Sequence, residues 1–261
     1  MKDEQVGIDG TDDEYDTVYA EEVVSDTDFS RYESMETADA TRVARSTTGT
    51  PAVVPMAQPI PLGVRLFEIS VALLVLVLTS PIMLIEAVII RRGTPGPVLF
   101  LQQRVGINRK PFTFVKFRTL YADARQRFPH LYAYKYTDEE LRTFRFKVER
   151  DPRVTPQGAW LRAASLDELP NFWCVLRGDM ALVGPRPEIP EMLPYYHGDM
   201  LKKFSVRPGI TGYAQISGRG RLTFFETVKY DVEYVEKRSF LLDLKILWKT
   251  VEKVILRHGA F

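Results

Sequence analysis

A nearly uninterrupted apolar stretch at residues 62–92 governs how the rest of this chain can be arranged. Its centre, ISVALLVLVLTSPIMLIEAVII, is 22 residues long and holds one ionisable side chain, Glu86. As a helix rising about 1.5 Å per residue it matches a hydrocarbon core roughly 30 Å thick, and it is longer than a helix buried in a soluble core needs to be. The chain is therefore expected to enter lipid. Whether it crosses turns on Ser80 and Pro81 in mid-stretch. Proline removes a backbone donor and clashes with the preceding turn, so a kink is expected, and a bend could return both ends to one face. A kinked helix that still spans is the alternative, and hydropathy leaves the two open. Arg91 and Arg92 put the following body on the cytoplasmic side, and Arg65 at the other end is compatible with that side.

Charge separates the segments on either side of this stretch. The formal net charge is +1 over 261 residues, yet residues 1–50 hold fourteen Asp or Glu against Lys2, Arg31, Arg42 and Arg45, a balance of −10 that leaves +11 for the remainder. Residues 1–58, as in GTDDEYDTVYAEEVVSDTDFS, are too poor in large aliphatics to offset their ordering entropy and are expected to be a disordered spacer or docking tail. No signal peptide is expected, since no basic region followed by an apolar stretch opens the chain. The basic remainder suits phosphate-bearing partners, a nucleotide or an anionic membrane surface, and no dense Lys/Arg stripe supports nucleic acid. The single cysteine, Cys174, excludes an intrachain disulfide and a cysteine-built zinc site, and His130, His197 and His258 lie more than 60 residues apart. Any metal would be held by oxygen.

Three segments follow: the tail at 1–58, a membrane element at 59–92, and one soluble body at 93–261 opened by the turn-rich RRGTPGP. VLFLQQRVG and KPFTFVKFRTL read as strands joined by a turn at residues 107–110, and alternation in the second puts Phe112, Phe114, Lys116 and Arg118 on one face. Helical patterns cover residues 121–147, 166–177, 191–204 and 224–257. In the last of these, Phe240, Leu241, Leu244 and Trp248 beside Lys245, Lys249 and Lys253 make an amphipathic surface fit for a headgroup layer, with Phe240 and Trp248 as candidate anchors. Packing on the protein's own core is the ordinary alternative.

The stretch SLDELPNFWCVLRGDMALVGPRP, residues 165–187, carries the most chemistry. Ser165 and Glu168 have the S-x-x-E spacing of a capping box, with Gly178 ending the helix. That accounts for Ser165 and part of Glu168, but not for Asp167. Adjacent carboxylates at a helix start point about 100° apart, so they cannot share one job, yet they can face one ligand as nucleophile and metal ligand. Arg186, between two prolines, offers a guanidinium on a stiff loop suited to phosphate. RPGITG from Arg207 and QISGRGR, which holds Arg219 and Arg221, add glycines, hydroxyls and arginines of the kind that contact a nucleotide diphosphate. Neither is a Walker loop, and GxGxxG is absent. Paired acids among basic loops suggest phosphoryl transfer.

Together with KFRTL, DPRVTPQGAWLR, RPGITGYAQISGR and YDVEYVEKRSFLLDLKILWKT, this stretch resembles the bacterial sugar transferase family, the monotopic polyprenyl-phosphate phosphoglycosyl transferases, over residues 61–254. The resemblance implies an α+β, mainly helical fold, membrane-anchored and monotopic, with amphipathic surface helices and one re-entrant hydrophobic helix broken at Ser80 and Pro81. It also implies transfer of a sugar 1-phosphate from a UDP-sugar to polyprenyl (undecaprenyl) phosphate, releasing UMP, as the first membrane step of exopolysaccharide, capsule, O-antigen or glycoprotein glycan assembly. On that pattern Asp167 attacks the β-phosphate and holds the phosphosugar covalently, Glu168 assists with magnesium or protons, and both acids are candidate Mg²⁺ ligands. Lys116, Arg118, Arg162, Arg186, Arg207 and Arg219 become candidate phosphate-binding residues. The implied partners are the UDP-sugar, the polyprenyl phosphate and the bilayer at the cytoplasmic face of the inner membrane, with a homodimer left open and no nucleic acid. Nothing in the motifs separates glucose, galactose or an N-acetylated amino sugar, and the acidic tail is no part of the shared core. Direct transfer in a ternary complex, with Asp167 only binding metal, and a non-catalytic membrane-tethered scaffold are the alternatives.

Overall fold

The computed structural model describes residues 60–145, 150–218 and 221–255. The acidic tail and Arg219 therefore lie outside the described residues. The architecture is mainly helical with a few strands. Helix α1 (Leu62–Gly93) is followed by an antiparallel hairpin, β1 (Leu99–Val105) and β2 (Pro111–Phe117). Short helices α2 (Ala124–Arg127) and α3 (Asp138–Thr143) lead to α4 (Pro156–Ala164) and α5 (Asn171–Arg177). Strand β3 (Ala181–Val183) pairs in parallel with β4 (Gly209–Thr211), and α6 (Tyr213–Gly218), α7 (Phe224–Lys237) and α8 (Phe240–Ile255) complete the chain.

α1 is the one helix among the described residues that is long and apolar enough to cross a membrane. It stays helical through Pro81 because a side chain replaces the missing donor. Pro81 cannot bond the carbonyl of Val77, and the Ser80 hydroxyl donates to that oxygen at 2.8 Å instead. The soluble body grips both arms of α1. Upstream, Arg65 donates to the carbonyls of Val175 and Leu176 at the end of α5, both at 2.8 Å, and Ala72 enters the main core. Downstream, Met83, Ala87 and Ile90 pack against Phe117, Leu161 and Leu166. Between the arms Leu73, Leu74, Val77, Leu78 and Ile82 are exposed.

The hairpin has the expected strands, with Phe100 opposite Lys116 and Arg104 opposite Phe112. Paired residues share a face, so Phe100, Gln102 and Arg104 line up beside Phe112, Phe114 and Lys116. The helical patterns resolve differently. Residues 121–147 divide into short pieces, and 191–204 become two 3₁₀ segments, Pro190–Tyr195 and Gly198–Ser205, because Pro194 and the positive φ of Gly198 interrupt a continuous helix. The last pattern breaks at Arg238 and Ser239 into α7 and α8. The main core joins Phe112, Phe114, Val175, Met180, Val183 and Tyr234. Gly209 and Gly212 are needed for backbone packing: a Cβ on Gly209 would lie 2.1 Å from the nitrogen of Gly184, and one on Gly212 would lie 2.2 Å from its oxygen.

Candidate active site

Asp167 and Glu168 lie in a turn between α4 and α5, not in the first turn of a helix. Ser165, at φ 58°, ends α4 in the left-handed conformation, with its N–H bonded to the carbonyl of Arg162 and that of Leu166 to the carbonyl of Leu161. A residue spent on closing one helix cannot cap the next, so the expected Ser165 to Glu168 capping box does not form, and α5 begins only at Asn171. The turn is tied to the hairpin instead: the N–H of Phe117 donates to the carbonyl of Asp167 at 2.9 Å. This bond sets Asp167 beside the end of β2, where Lys116 emerges.

The two carboxylates have opposite surroundings. Glu168 accepts a hydrogen bond from Arg186 at 2.6 Å. Burial pushes the Glu168 carboxyl up, but the Arg186 guanidinium outweighs it and holds the group below the usual range. Asp167 is 6% exposed, and among the described residues its carboxylate has no hydrogen bond or ion pair. Burial first, and Glu168 second, push its pKa up, against the pull of Lys116, Arg162 and Arg186. One acid is neutralised by an arginine and the other is left open within a cationic field.

Lys116 comes from β2, with its ammonium 5.3 Å from the centroid of the Phe100 ring. Burial lowers its pKa to about 8, with Asp167 acting in the opposite direction. Arg162, from α4, is held by its Nε on the Thr119 hydroxyl at 2.9 Å and feels the charge of Asp167. Arg186 rides on a loop fixed from behind. Its neighbour Glu188 accepts from the Tyr196 hydroxyl at 2.6 Å and from Lys203 at 3.3 Å, and Lys203 also faces Asp231 at 3.2 Å, all four residues being buried.

Two of the candidate phosphate ligands are turned elsewhere. Arg118 is buried and donates to the carbonyls of Thr94, Pro95, Gly96 and Pro97, closing the turn that follows α1. Strand β2 ends at Phe117, so the alternation that paired Arg118 with Lys116 no longer applies. Arg207 is buried too, bonded to Glu68 of α1 and to the carbonyl of Met180. The cluster around Asp167 therefore comprises Glu168, Lys116, Arg162 and Arg186.

Arg104 was not singled out by sequence, yet it stands near Arg186 and Glu188 and donates to the carbonyl of Pro187 at 3.0 Å. Burial, then repulsion from Arg186, brings its pKa down to about 10. The signal was the strand register, which puts Arg104 on the face of Lys116.

Among the described residues no three His, Cys, Asp or Glu side chains converge as a ready metal cage. Mg²⁺ needs no such cage, since it binds through one or two carboxylates and completes its shell with water and substrate phosphates. Asp167 is the open oxygen donor here, with Glu168 beside it.

Residues 61–257 match the family described as bacterial sugar transferase. The sugar transferase EpsL of Bacillus subtilis is 40% identical over 195 residues, which are 75% of this chain and 88% of EpsL. An undecaprenyl-phosphate glucose phosphotransferase of Komagataeibacter xylinus is 36% identical over 208 residues, 76% of this chain and 36% of that protein. An undecaprenyl-phosphate galactose phosphotransferase of Salmonella typhimurium is 36% identical over 197 residues, 76% of this chain and 41% of that protein. The chain thus spans most of EpsL and well under half of the two relatives whose names state a sugar.

Proposed function

The chain belongs to the bacterial sugar transferase family, and from that footing we propose that it transfers a sugar 1-phosphate from a UDP-sugar to undecaprenyl phosphate at the cytoplasmic face of the membrane. The observation that carries this reading is the open, buried carboxylate of Asp167 beside the Arg186-bound carboxylate of Glu168. In the first step a carboxylate oxygen of Asp167 attacks the β-phosphorus of the donor. The bond from that phosphorus to the bridging oxygen breaks, and UMP leaves with the electron pair. The acyl phosphate that remains is reactive enough for a second displacement. A phosphate oxygen of the acceptor then attacks the same phosphorus, the bond to Asp167 breaks, and the carboxylate is restored. Protons balance without a general base when the acceptor phosphate is fully ionised.

Lys116, Arg162 and Arg186 hold the phosphate oxygens and offset the charge that moves to the leaving group. Asp167, with Glu168 beside it, would hold Mg²⁺, whose positive charge would offset repulsion between carboxylate and diphosphate. Among the described residues no hydrogen bond or ion pair holds the Asp167 carboxylate, which leaves an oxygen available for attack. The re-entrant course of α1 is supported by the grip of one soluble body on both its arms. The product is the lipid-linked sugar that opens assembly of an exopolysaccharide, a capsule or a related glycan.

The test is UMP release from UDP-glucose, UDP-galactose and UDP-N-acetylglucosamine with Mg²⁺, for wild type and Asp167→Asn. Labelled phosphosugar should accumulate on wild-type protein when the acceptor is withheld, and the variant should lose both signals by on the order of a thousandfold. Turnover without protein labelling would favour direct transfer, and turnover by the variant would end the reading.

A further inference from the structure

Glu86 is a buried acid for which the reaction above has no use. It is 1% exposed, and among the described residues neither of its carboxylate oxygens has a hydrogen-bond partner. It lies on the downstream arm of α1, where Met83, Ala87 and Ile90 stand at helical spacing on the same side and pack against Phe117, Leu161 and Leu166. Those residues are the immediate frame of the nucleophile, since Phe117 bonds the Asp167 backbone and Leu166 precedes it. The charge that bears on Glu86 is that of Asp167 itself. Turned away from Glu86, Leu84, Ile85 and Val88 are exposed and apolar. Glu86 thus separates a lipid-facing strip from the reacting carboxylate.

A buried polar group without a partner costs on the order of 1–3 kcal/mol, and an unpaired buried charge costs more. An apolar side chain would fill the same position without that cost, and its neighbours from Pro81 to Ile90 are all apolar. Burial without a partner and then the nearby charge of Asp167 raise its pKa and favour the neutral acid, whose hydrogen awaits an acceptor. The two substrates reach Asp167 by different routes. A nucleotide sugar is water-soluble and comes from the aqueous side. A polyprenyl phosphate keeps its tail in lipid, so its phosphate must arrive along α1.

We propose that Glu86 belongs to the acceptor site and donates a hydrogen bond from its neutral carboxyl to a phosphate oxygen of the polyprenyl phosphate. The apolar strip at Leu84, Ile85 and Val88 supports the first prenyl units, and Glu86 meets the phosphate as it turns toward Asp167. A neutral donor suits this position, because an ionised carboxylate would repel the incoming phosphate. The inference rests on the reading of the chain as a polyprenyl-phosphate sugar transferase.

The experiment uses the full chain in phospholipid vesicles containing undecaprenyl phosphate, with the UDP-sugar that wild type turns over. Two quantities are measured: the rate of protein labelling by donor alone, and the acceptor KM of the complete reaction. Glu86→Ala should raise the acceptor KM about tenfold or more, the size expected for one hydrogen bond to a charged group, and hold the labelling rate within about threefold. Glu86→Gln keeps a neutral N–H donor of similar size and should recover most of the loss. Because Glu86 has no hydrogen-bond partner among the described residues, neither substitution strands one. An unchanged acceptor KM in Glu86→Ala overturns the proposal. So does an equal loss in labelling and in acceptor use, or a Gln variant as impaired as Ala. If wild type turns over but is never labelled, the covalent route fails and the acceptor KM still tests Glu86.

Discussion

Arg207 clamps Glu68 across 139 residues of chain, one guanidinium nitrogen meeting the two carboxylate oxygens at 2.9 and 2.7 Å. A second nitrogen takes the carbonyl of Met180 at 3.1 Å. Glu68 belongs to the upstream arm of the apolar helix and Arg207 to the strand-bearing centre, so the pair fastens the membrane element to the body. An arginine so committed holds structure, whatever its motif suggests.

Removing Glu68 strands the Arg207 charge in the interior, at a cost of about 3–5 kcal/mol, and removing Arg207 leaves Glu68 only its longer 3.4 Å contact with Arg65. Arg207→Ala and Glu68→Ala should each lower thermal stability sharply, and a Glu68→Leu, Arg207→Met double variant should lose less than the two single losses combined. Unfolding followed by circular dichroism in detergent checks this. Full stability of Arg207→Ala with a raised donor KM would return Arg207 to the substrate site.

Arg118 is predicted to act in the same way on a smaller scale. Arg118→Ala uncovers the carbonyls of residues 94–97 and should cost about 2–4 kcal/mol, with faster proteolysis in that turn. Donor KM in the folded fraction should stay near the wild-type value.

The pH profile follows from Lys116 and Asp167. Burial brings the Lys116 pKa down to about 8, so its positive charge is present below that pH and lost above it. Asp167, whose pKa is raised by burial and by Glu168, needs its carboxylate and loses it on the acid side earlier than an ordinary aspartate. Donor kcat/KM should therefore be bell-shaped, with an alkaline limb near 8. Lys116→Arg should carry that limb upward by more than about one unit, because arginine stays charged. A limb that does not move would assign it to another group.

Ser80 and Pro81 are expected to decide the course of the apolar helix. Cys174 is the single cysteine and is buried, so a thiol introduced by Leu62→Cys is reported cleanly. It should be labelled only from the cytoplasmic side in the parent chain. Adding Ser80→Leu and Pro81→Leu restores an ordinary helix and should expose a fraction of the thiol to reagent on the opposite side.

At the surface, Trp248 is 73% exposed on α8, whereas Phe240 meets the Phe67 ring edge-on at 5.7 Å. With Trp160 and Trp173 replaced by Phe, emission from Trp248 should be quenched by brominated lipid. Quenching no greater than in detergent would mean that α8 stands clear of the headgroups.

The apolar helix, the hairpin and the acidic pair were all legible in the residues, because each depends on local order: an unbroken hydrophobic run, period-two alternation around a turn, adjacent carboxylates. The same rules misled where one residue could serve two elements. Ser165 has the spacing to cap α5 and the position to end α4, and only the chain's path past β2 shows that it ends α4. The glycines of RPGITG read as room for phosphate and turned out to be room for the backbone at Gly184.

Residue order alone determined that this chain carries an apolar helix long enough to enter lipid and a pair of acids among basic loops, since hydropathy and charge are properties of the residues themselves. It could not apportion the arginines, because a guanidinium reaches whichever partner the fold brings near. Tertiary packing sent Arg118 and Arg207 to carbonyls and to Glu68, gave Arg186 to Glu168, and left the Asp167 and Glu86 carboxylates without hydrogen bonds among the described residues. Burial then separated the properties of two neighbouring carboxylates, because the cost of a buried charge is set by what surrounds it and not by what precedes it in the chain.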